Sequence, residues 1–524
     1  MRVTLSDPMV MVEGWTGDLD KAGEYTLRVR KTPEELRLEK EELKKLGLDH
    51  DDPVTGRKAK HISKFHFYDR TCISHDALKP GVAYFLPGLW PRVRGMLEEK
   101  GVQYELVDKR NPAIRPPLDY TAFQGVEFRE TQDMAVALIS QLDCGIIETT
   151  TGYGKSYLLS LLCKAYPTLN IVVTTSSTQV VSTLYKYLCQ TIPGQVGVLY
   201  GGKDTTSGKR VVCTTLKSLG NISPEKVHLV FVDECHAVAD NLAGEELMKF
   251  KWARRFGFSA SPVRNDGTAR VMEALLGPTI LKMTYQEAAD AGMVTPMKYL
   301  MLPCNRCPQV AQKKGLGDNT LKKWSYWRNN ARNGVIRDFV YDLKRRYDGQ
   351  ILIMVSTMVH AIELHRLLPW FLVAHAENID MERLKKDFPE EKYPKLDLAQ
   401  YKLNSGQLER MKAAFAKGTL RYVIATKSWK QGVNFEHLAV IVRADGDVSD
   451  IECIQIPGRA SRLDDDKEWA YLVDILDMFS PWASQRANAR MAEYENQQWK
   501  KIDYMEMMNG IGRTATPDNV EPAG

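Results

Sequence analysis

Two short stretches carry most of the chemistry open to this sequence. Thr149-Thr150-Thr151-Gly152-Tyr153-Gly154-Lys155-Ser156 follows an apolar run, Gly145-Ile146-Ile147, and precedes a helical pattern, Tyr157-Leu158-Leu159-Ser160-Leu161-Leu162. A glycine-rich turn between strand and helix lets backbone N–H groups curl around a phosphate, and the helix N-terminus adds partial positive charge. Lys155 then reaches the β/γ-phosphates, while the Ser156 hydroxyl ligates Mg²⁺. The second stretch, Asp233-Glu234-Cys235-His236, closes the apolar run Val227-His228-Leu229-Val230-Phe231-Val232. There Asp233 would hold the metal through its water shell, and Glu234 would orient and deprotonate an attacking water. Alone, a glycine loop can be a tight turn and an Asp-Glu pair can cap a helix. Together, in this order and on these elements, they read as the ATP and Mg²⁺ site of a nucleotide hydrolase.

The elements that must position these residues alternate in type. From about 119 to 285, runs such as Ile171-Val172-Val173-Thr174, Arg210-Val211-Val212-Cys213 and Phe256-Gly257-Phe258-Ser259 look like buried parallel strands. Helical patterns such as Val180 to Leu188 separate them, which defines a doubly wound α/β domain with ligands at the carboxyl ends of the strands. Residues about 286–475 repeat the pattern through Ile351 to Val355, Arg421 to Ala425, Ala439 to Val442 and Ala470 to Val473. No second phosphate loop accompanies them, so one nucleotide is expected between two domains. The far domain must then supply positive charge to the γ-phosphate. Gln455-Ile456-Pro457-Gly458-Arg459-Ala460-Ser461-Arg462 is the source, with Arg459 and Arg462 one helical turn apart. Seen alone it reads as an exposed basic face. After Ala425-Thr426 and Gln431-Gly432-Val433-Asn434 it reads as a finger acting across the cleft.

At 524 residues the chain needs three or four domains. Net charge is +5, so a polyanion site must come from local patches. Nine cysteines without a framework suit a reducing cytosol, and no segment reaches about 18 consecutive apolar residues, so a cytoplasmic, membrane-free protein is expected. Cys304-Asn305-Arg306-Cys307 is half of a zinc-ribbon spacing with nothing to complete it. Residues 1–118 form an α+β segment of their own: a charged helix from Thr32 to Leu43, a basic run from Arg57 to Lys64, then a helix near Trp90 and a strand near Tyr104. Asn111 to Leu118 reads as a linker. Residues 476–524 form a helical extension whose end is expected to be disordered. Lys322-Lys323-Trp324-Ser325-Tyr326-Trp327-Arg328 could offer Trp324 and Trp327 to bases, or could bury them on a helix face. Trp482, Arg486, Arg490, Trp499, Lys500 and Lys501 pose the same choice, and Arg57 to Lys64 is either a phosphate contact or a solubilising surface.

On these residues the chain resembles superfamily 2 helicases over roughly 128–475, and most resembles phage branch-migration helicases of the UvsW type, with RecG-like and XPB-like translocases as more distant relatives. The resemblance implies two tandem RecA-like domains. It assigns Arg129-Glu130-Thr131-Gln132 to adenine reading, with Gln132 on the base, and Ser259-Ala260-Ser261 to coupling. It places Thr175, Ser176, Thr214, Thr215 and Thr426 against a nucleic-acid backbone. In such relatives a small N-terminal domain binds DNA. Two motifs depart from the common pattern, at Cys235-His236 and Asn434, without touching a metal ligand. A charged insertion from about Glu377 to Leu403 reads as a solvated surface loop.

The function implied is an ATP-dependent DNA helicase or translocase acting on forks, Holliday junctions, D-loops or R-loops. It would work as a monomer, beside a single-strand-binding protein or recombinase, in a host cytoplasm if phage-encoded. An RNA helicase and a non-catalytic nucleic-acid scaffold are the alternatives. Intact Lys155, Asp233, Glu234, Arg459 and Arg462 count against the scaffold.

Overall fold

The computed structural model describes residues 1–6, 9–30, 65–110, 116–150, 152–239, 241–260, 268–312, 316–375, 379–426, 429, 435–448, 458, 460–461, 463–464 and 467–511. The expected helix from Thr32 to Leu43 and the basic run from Arg57 to Lys64 lie outside these residues. The chain forms two compact units, residues 1–126, 134–148 and 159–282 in the first and 127–133, 149–158 and 283–524 in the second.

Seven strands begin the first unit: β1 (Arg2–Leu5), β2 (Val10–Glu13), β3 (Glu24–Arg30), β4 (Phe65–Thr71), β5 (Ile73–His75), β6 (Val82–Phe85) and β7 (Glu105–Asp108). β3 and β4 pair antiparallel by themselves, and the others form a sheet in the order β5-β6-β2-β1-β7. Helix α1 (Trp90–Glu99) carries Pro91 in its first turn, where the missing N–H costs nothing. Its Val93 and Leu97, four residues apart, are buried with Val3, Val10, Val12 and Phe85.

This module is fastened to the next layer of the same unit. A Cβ on Gly88 would come within 2.3 Å of the Glu273 carbonyl and 2.5 Å of the Ala274 carbonyl, so the short turn Pro87–Leu89 lies backbone to backbone on helix Ala269–Leu276. Arg92 makes a two-pronged contact to the Glu273 carboxylate at 2.8 and 3.0 Å, and Arg270 adds a third bond at 2.5 Å.

Behind it stands an eight-stranded sheet of β8 (Cys144–Glu148), β9 (Ile171–Thr175), β10 (Val196–Tyr200), β11 (Lys203–Asp204), β12 (Val211–Thr215), β13 (Leu229–Asp233), β14 (Arg254–Ser259) and β15 (Thr279–Lys282). Its order is β11-β10-β12-β9-β13-β14-β8-β15, parallel except at the β10–β11 hairpin. Every residue of β9 and β13 is buried, as strands covered on both faces require. β8, from which the glycine loop leaves, and β13, which ends in Asp233, have only β14 between them. At about 4.8 Å per strand their ends are about 10 Å apart.

The second unit holds β16 (Met297–Cys304), β17 (Gln350–Met354), β18 (Leu372–Ala374), β19 (Tyr422–Ala425), β20 (Leu438–Arg443), β21 (Ala470–Asp477) and β22 (Lys500–Lys501), in the all-parallel order β18-β19-β17-β20-β21-β16-β22. The molecule is thus built on two tandem RecA-like parallel sheets. After β21 comes helix Pro481–Asn496, whose first turn is capped by the Ser480 hydroxyl accepting from the Ala483 N–H at 3.2 Å. The chain then adds β22 to the edge of the sheet, so the helical C-terminal segment is part of this core. Two of the aromatic and basic residues there, Trp499 and Arg490, are structural. Trp499 is buried and stacks on Tyr494 with ring centroids 5.5 Å apart, and Arg490 is fully buried against Asp474 at 2.8 Å.

The insertion corrects the sequence reading. Within its described part, from 379 on, Leu384, Phe388 and Tyr401 are buried in the core of the second unit, Leu384 on helix Met381–Asp387 and Phe388 at its C-terminal cap. Leu384 and Phe388 stand four residues apart, a helical spacing that the charged residues around them concealed, and Tyr401 follows thirteen residues later.

Gly88→Ala sets a Cβ against two backbone carbonyls that cannot yield as a side-chain tip would. The expected loss is about 2 kcal/mol of unfolding free energy, read by urea denaturation. A midpoint equal to wild type would mean that the N-terminal module is not docked in this way.

Candidate nucleotide and nucleic-acid sites

The glycine loop is locally rigid. Gly152 and Gly154 sit at φ +99° and +90°, and Cβ atoms there would lie 2.8 Å from Val294 and 3.0 Å from Gln132 Nε2. Only glycine enters such a turn without strain. Gln132 is 2% exposed; its Oε1 accepts from the Arg129 N–H at 3.0 Å and its Nε2 donates to the Tyr153 carbonyl at 2.7 Å. Arg129 Nη1 donates to the Gly152 carbonyl at 2.9 Å. The structure therefore brings Arg129, Gln132, Gly152, Tyr153 and Gly154 together, with Gln132 bracing the loop from behind. Tyr153 is fully buried, its phenol is pushed up to about 12 by burial, and its hydroxyl lies 3.2 Å from Thr131 Oγ1. Lys155 opens helix Lys155–Ala165 and donates to the Thr149 and Thr150 carbonyls at 3.2 and 3.0 Å. Ser156 is the next residue of that helix. The buried Thr149 hydroxyl has no hydrogen-bond partner among the described residues.

In the first unit the parallel register sets one residue from each strand in a row: Thr215 beside Thr175, Asp233 beside Phe258, and Ser259 beside Glu148. Asp233 is 5% exposed and accepts from the Glu234 N–H at 3.1 Å. Glu234 has φ +55°, a left-handed conformation that residues other than glycine and asparagine rarely hold. Its carboxylate lies 3.4 Å from His236 Nδ1, which is also 3.2 Å from the Ser259 hydroxyl. A single imidazole thus touches both the Asp-Glu stretch and the next strand. Sequence reasoning missed this contact, although His236 and Ser259 each lay in a quoted motif.

The candidate strand contacts divide. Thr175 and Thr214 are fully buried and Thr215 nearly so, with Thr214 Oγ1 donating to the Leu199 carbonyl at 2.7 Å. Ser176, one residue beyond β9, is exposed. Thr426 follows β19 and lines a cavity with Ser356, Thr357, His375 and Trp327. Trp324 and Trp327 lie in a π-helical turn, Lys323–Trp327, and both are half-buried. Ser356 and Thr357 went unnoticed in the sequence, although a hydroxyl pair just past the apolar run Ile351 to Val355 was a usable signal. Thr151, Ser261, Gln431 to Asn434, Gln455, Arg459 and Arg462 lie outside the described residues.

The chemistry of the loop fits a nucleoside triphosphate: glycines that leave no room for a Cβ, a lysine, a helix-start serine and a buried hydroxyl without a partner among the described residues. The buried Asp233 of the first unit is, by its chemistry, a residue type that suits Mg²⁺. Two RecA-like sheets, one leading into a phosphate loop, define an ATP-hydrolysing motor.

Known proteins agree. Residues 125–264 match the family model described as type III restriction enzyme, res subunit, and residues 333–464 match the helicase conserved C-terminal domain. The chain is a superfamily 2 helicase, an enzyme that hydrolyses ATP and binds nucleic acid. It is 21% identical over 449 residues to a candidate helicase, number 22, of a Sulfolobus islandicus filamentous virus, covering 77% of this chain and 75% of that one. It is 28% identical over 172 residues to the DNA 3'-5' translocase XPB2 of Sulfurisphaera tokodaii, covering 31% of this chain and 37% of that one. Saccharomyces cerevisiae Dbp5 bound to RNA and ADP BeF3 shares the fold, with a TM-score of 0.50 at 12% identity over 76% of this chain and 96% of that one. Among the described residues no helix is long and apolar enough to cross a membrane.

Glu234→Asn keeps a residue tolerant of the left-handed region and removes the cost of holding glutamate there. We expect a gain of about 0.5–1 kcal/mol in unfolding free energy, together with loss of hydrolysis. Lower stability would show that the glutamate is not strained.

Proposed function

We propose that this helicase is a DNA translocase that drives branch migration or unwinding at forks, Holliday junctions, D-loops or R-loops. The observation that carries this reading is the docked N-terminal module. It is fixed by Gly88 and Arg92 to the helix Ala269–Leu276 of the unit that also carries Asp233 and Glu234. A module held rigidly on a motor can act as a wedge against duplex pumped past it, whereas a tethered one would swing aside. Exchange of one duplex for another of similar stability has little net cost, so a stepping motor suffices to drive it. Likeness to an archaeal DNA translocase supports DNA over RNA as substrate.

In this reading Lys155 and the loop N–H groups hold the β- and γ-phosphates, and Gln132 and Arg129 set the shape of the loop. Ser156 and Asp233 would hold Mg²⁺, which when bound neutralises phosphate charge. Glu234 takes a proton from the attacking water as the bond from the γ-phosphorus to its bridging oxygen breaks, giving ADP and phosphate. Arg459 and Arg462 stabilise the charge that develops, and Gln455 belongs to the same sequence motif. His236 connects this step to Ser259. Ser176 and Thr426 grip the strand through its phosphates, which carry no sequence information. No protein partner is needed for any of these steps, so the working unit is a monomer, and a single-strand-binding protein or recombinase would act on the same DNA.

The test is ATP turnover without polynucleotide and then with single-stranded DNA, duplex DNA, a four-way junction and RNA. Branched DNA should activate most; RNA as the best activator would overturn the DNA reading. Lys155→Ala should abolish turnover with the fold intact. Arg459→Ala should spare ATP binding and slow turnover by on the order of 10³-fold, and an unchanged rate would remove it from the site.

A further inference from the structure

We infer that the second unit contains a pocket for one unpaired nucleobase, flipped from a bound strand and stacked on Trp327. The inference rests on the reading of the chain as a nucleic-acid motor. The cavity has a volume of about 320 Å³, at the small end of ligand sites. That suits one nucleotide-sized group.

Part of its lining lies where three neighbouring strands end. Ser356 and Thr357 follow β17, His375 follows β18, and Thr426 follows β19. This is the edge at which parallel sheets bind ligands. Trp327, Ile379 and Leu384 contribute an indole and two aliphatic side chains. Lys323 and Arg383 bring two positive charges, and Asp380 and Asp387 two negative ones, with Lys323 and Asp387 paired at 2.6 Å. The ionic side chains therefore cancel, and the cavity offers no excess charge to the phosphates of a free nucleotide. The group it does fit is a flat, neutral, polar-edged ring. The carboxylates at its rim can accept from exocyclic amines.

The aromatic wall is built with some effort by the fold. The turn Lys323–Trp327 is π-helical, an irregularity concentrated at functional sites. The Trp327 indole N–H is buried without a hydrogen-bond partner among the described residues. Asn333 Nδ2 holds the Trp327 carbonyl at 3.1 Å. On the other flank the insertion is anchored by Leu384 and Phe388, with the Arg328 guanidinium 4.8 Å from the Phe388 ring centroid and donating to the Asp387 carbonyl. The insertion and the π turn thus form one fixed wall, and base stacking on such a surface tolerates any sequence.

The test uses the full chain and single-stranded DNA carrying one 2-aminopurine, moved a position at a time. At one position in the bound footprint its fluorescence should be quenched, and an abasic site at that position should weaken binding about 10-fold. Trp327→Phe should keep both effects; Trp327→Ala should remove them while the thermal unfolding midpoint confirms a folded chain. Tight binding with every position equivalent overturns the pocket and leaves the motor reading standing. Failure to bind any single strand overturns both.

Discussion

A parallel sheet can be entered from one edge only and left from the other, and this constraint governs the molecule. Each strand delivers its last residue to the same side, whatever its place in the sequence. Thr175, Thr215, Asp233, Ser259 and the loop after Glu148 are spread over about a hundred residues, yet register sets their strand ends in one row. The second sheet does the same with Ser356, His375 and Thr426. Two acids and several hydroxyls are therefore assembled by the ladder, with little demand on the loops beyond their first residue.

The same geometry buries the strands on both faces, and in the second unit it buries charge as well. Arg332, Arg443, Arg490, Asp474 and Asp477 are all fully enclosed, and Arg490 meets both aspartates at 2.8 and 3.6 Å. The two carboxyls respond differently. Burial pushes Asp474 up, but Arg490, Arg443 and the Tyr494 hydroxyl outweigh it and hold the group below its ordinary value. For Asp477 burial wins over Arg332 and Arg490, and the carboxyl is raised. Ions so enclosed add little net stability, but one left without its partner is costly. The network therefore specifies which face of helix Pro481–Asn496 meets β21, and that explains why residues with a nucleic-acid-like composition ended in a core.

Periodicity made the repeated α/β pattern legible, because fully buried strands of β-branched residues leave few other readings. β8, β9, β12, β13, β14, β17, β19, β20 and β21 all coincide with quoted runs to within a residue or two at their starts. Edge elements were harder to read. β11 and β22 are two residues each, and the N-terminal strands alternate too briefly to stand out. The loop glycines were visible as glycines, but the bracing of the loop by Gln132 was not, since it joins residues 21 apart through a side-chain amide. Nor could composition tell that Arg490 and Trp499 face inward, because cation and indole suit a buried pair as well as a phosphate and a base.

Backbone conformation marks where stability has been given up. Thr131 and Glu234 hold φ +66° and +55°, and each adjoins a group already singled out, Gln132 in one case and Asp233 in the other. Asparagine or glycine would sit at either place with less strain. The Glu234 N–H donates to the Asp233 carboxylate, so the turn that strains the glutamate also fixes its neighbour. Relaxing the backbone would free both acids at once. A residue retained against its own conformational preference, in a contact that orients the next one, is better explained by the position of its carboxylate than by the packing of the fold.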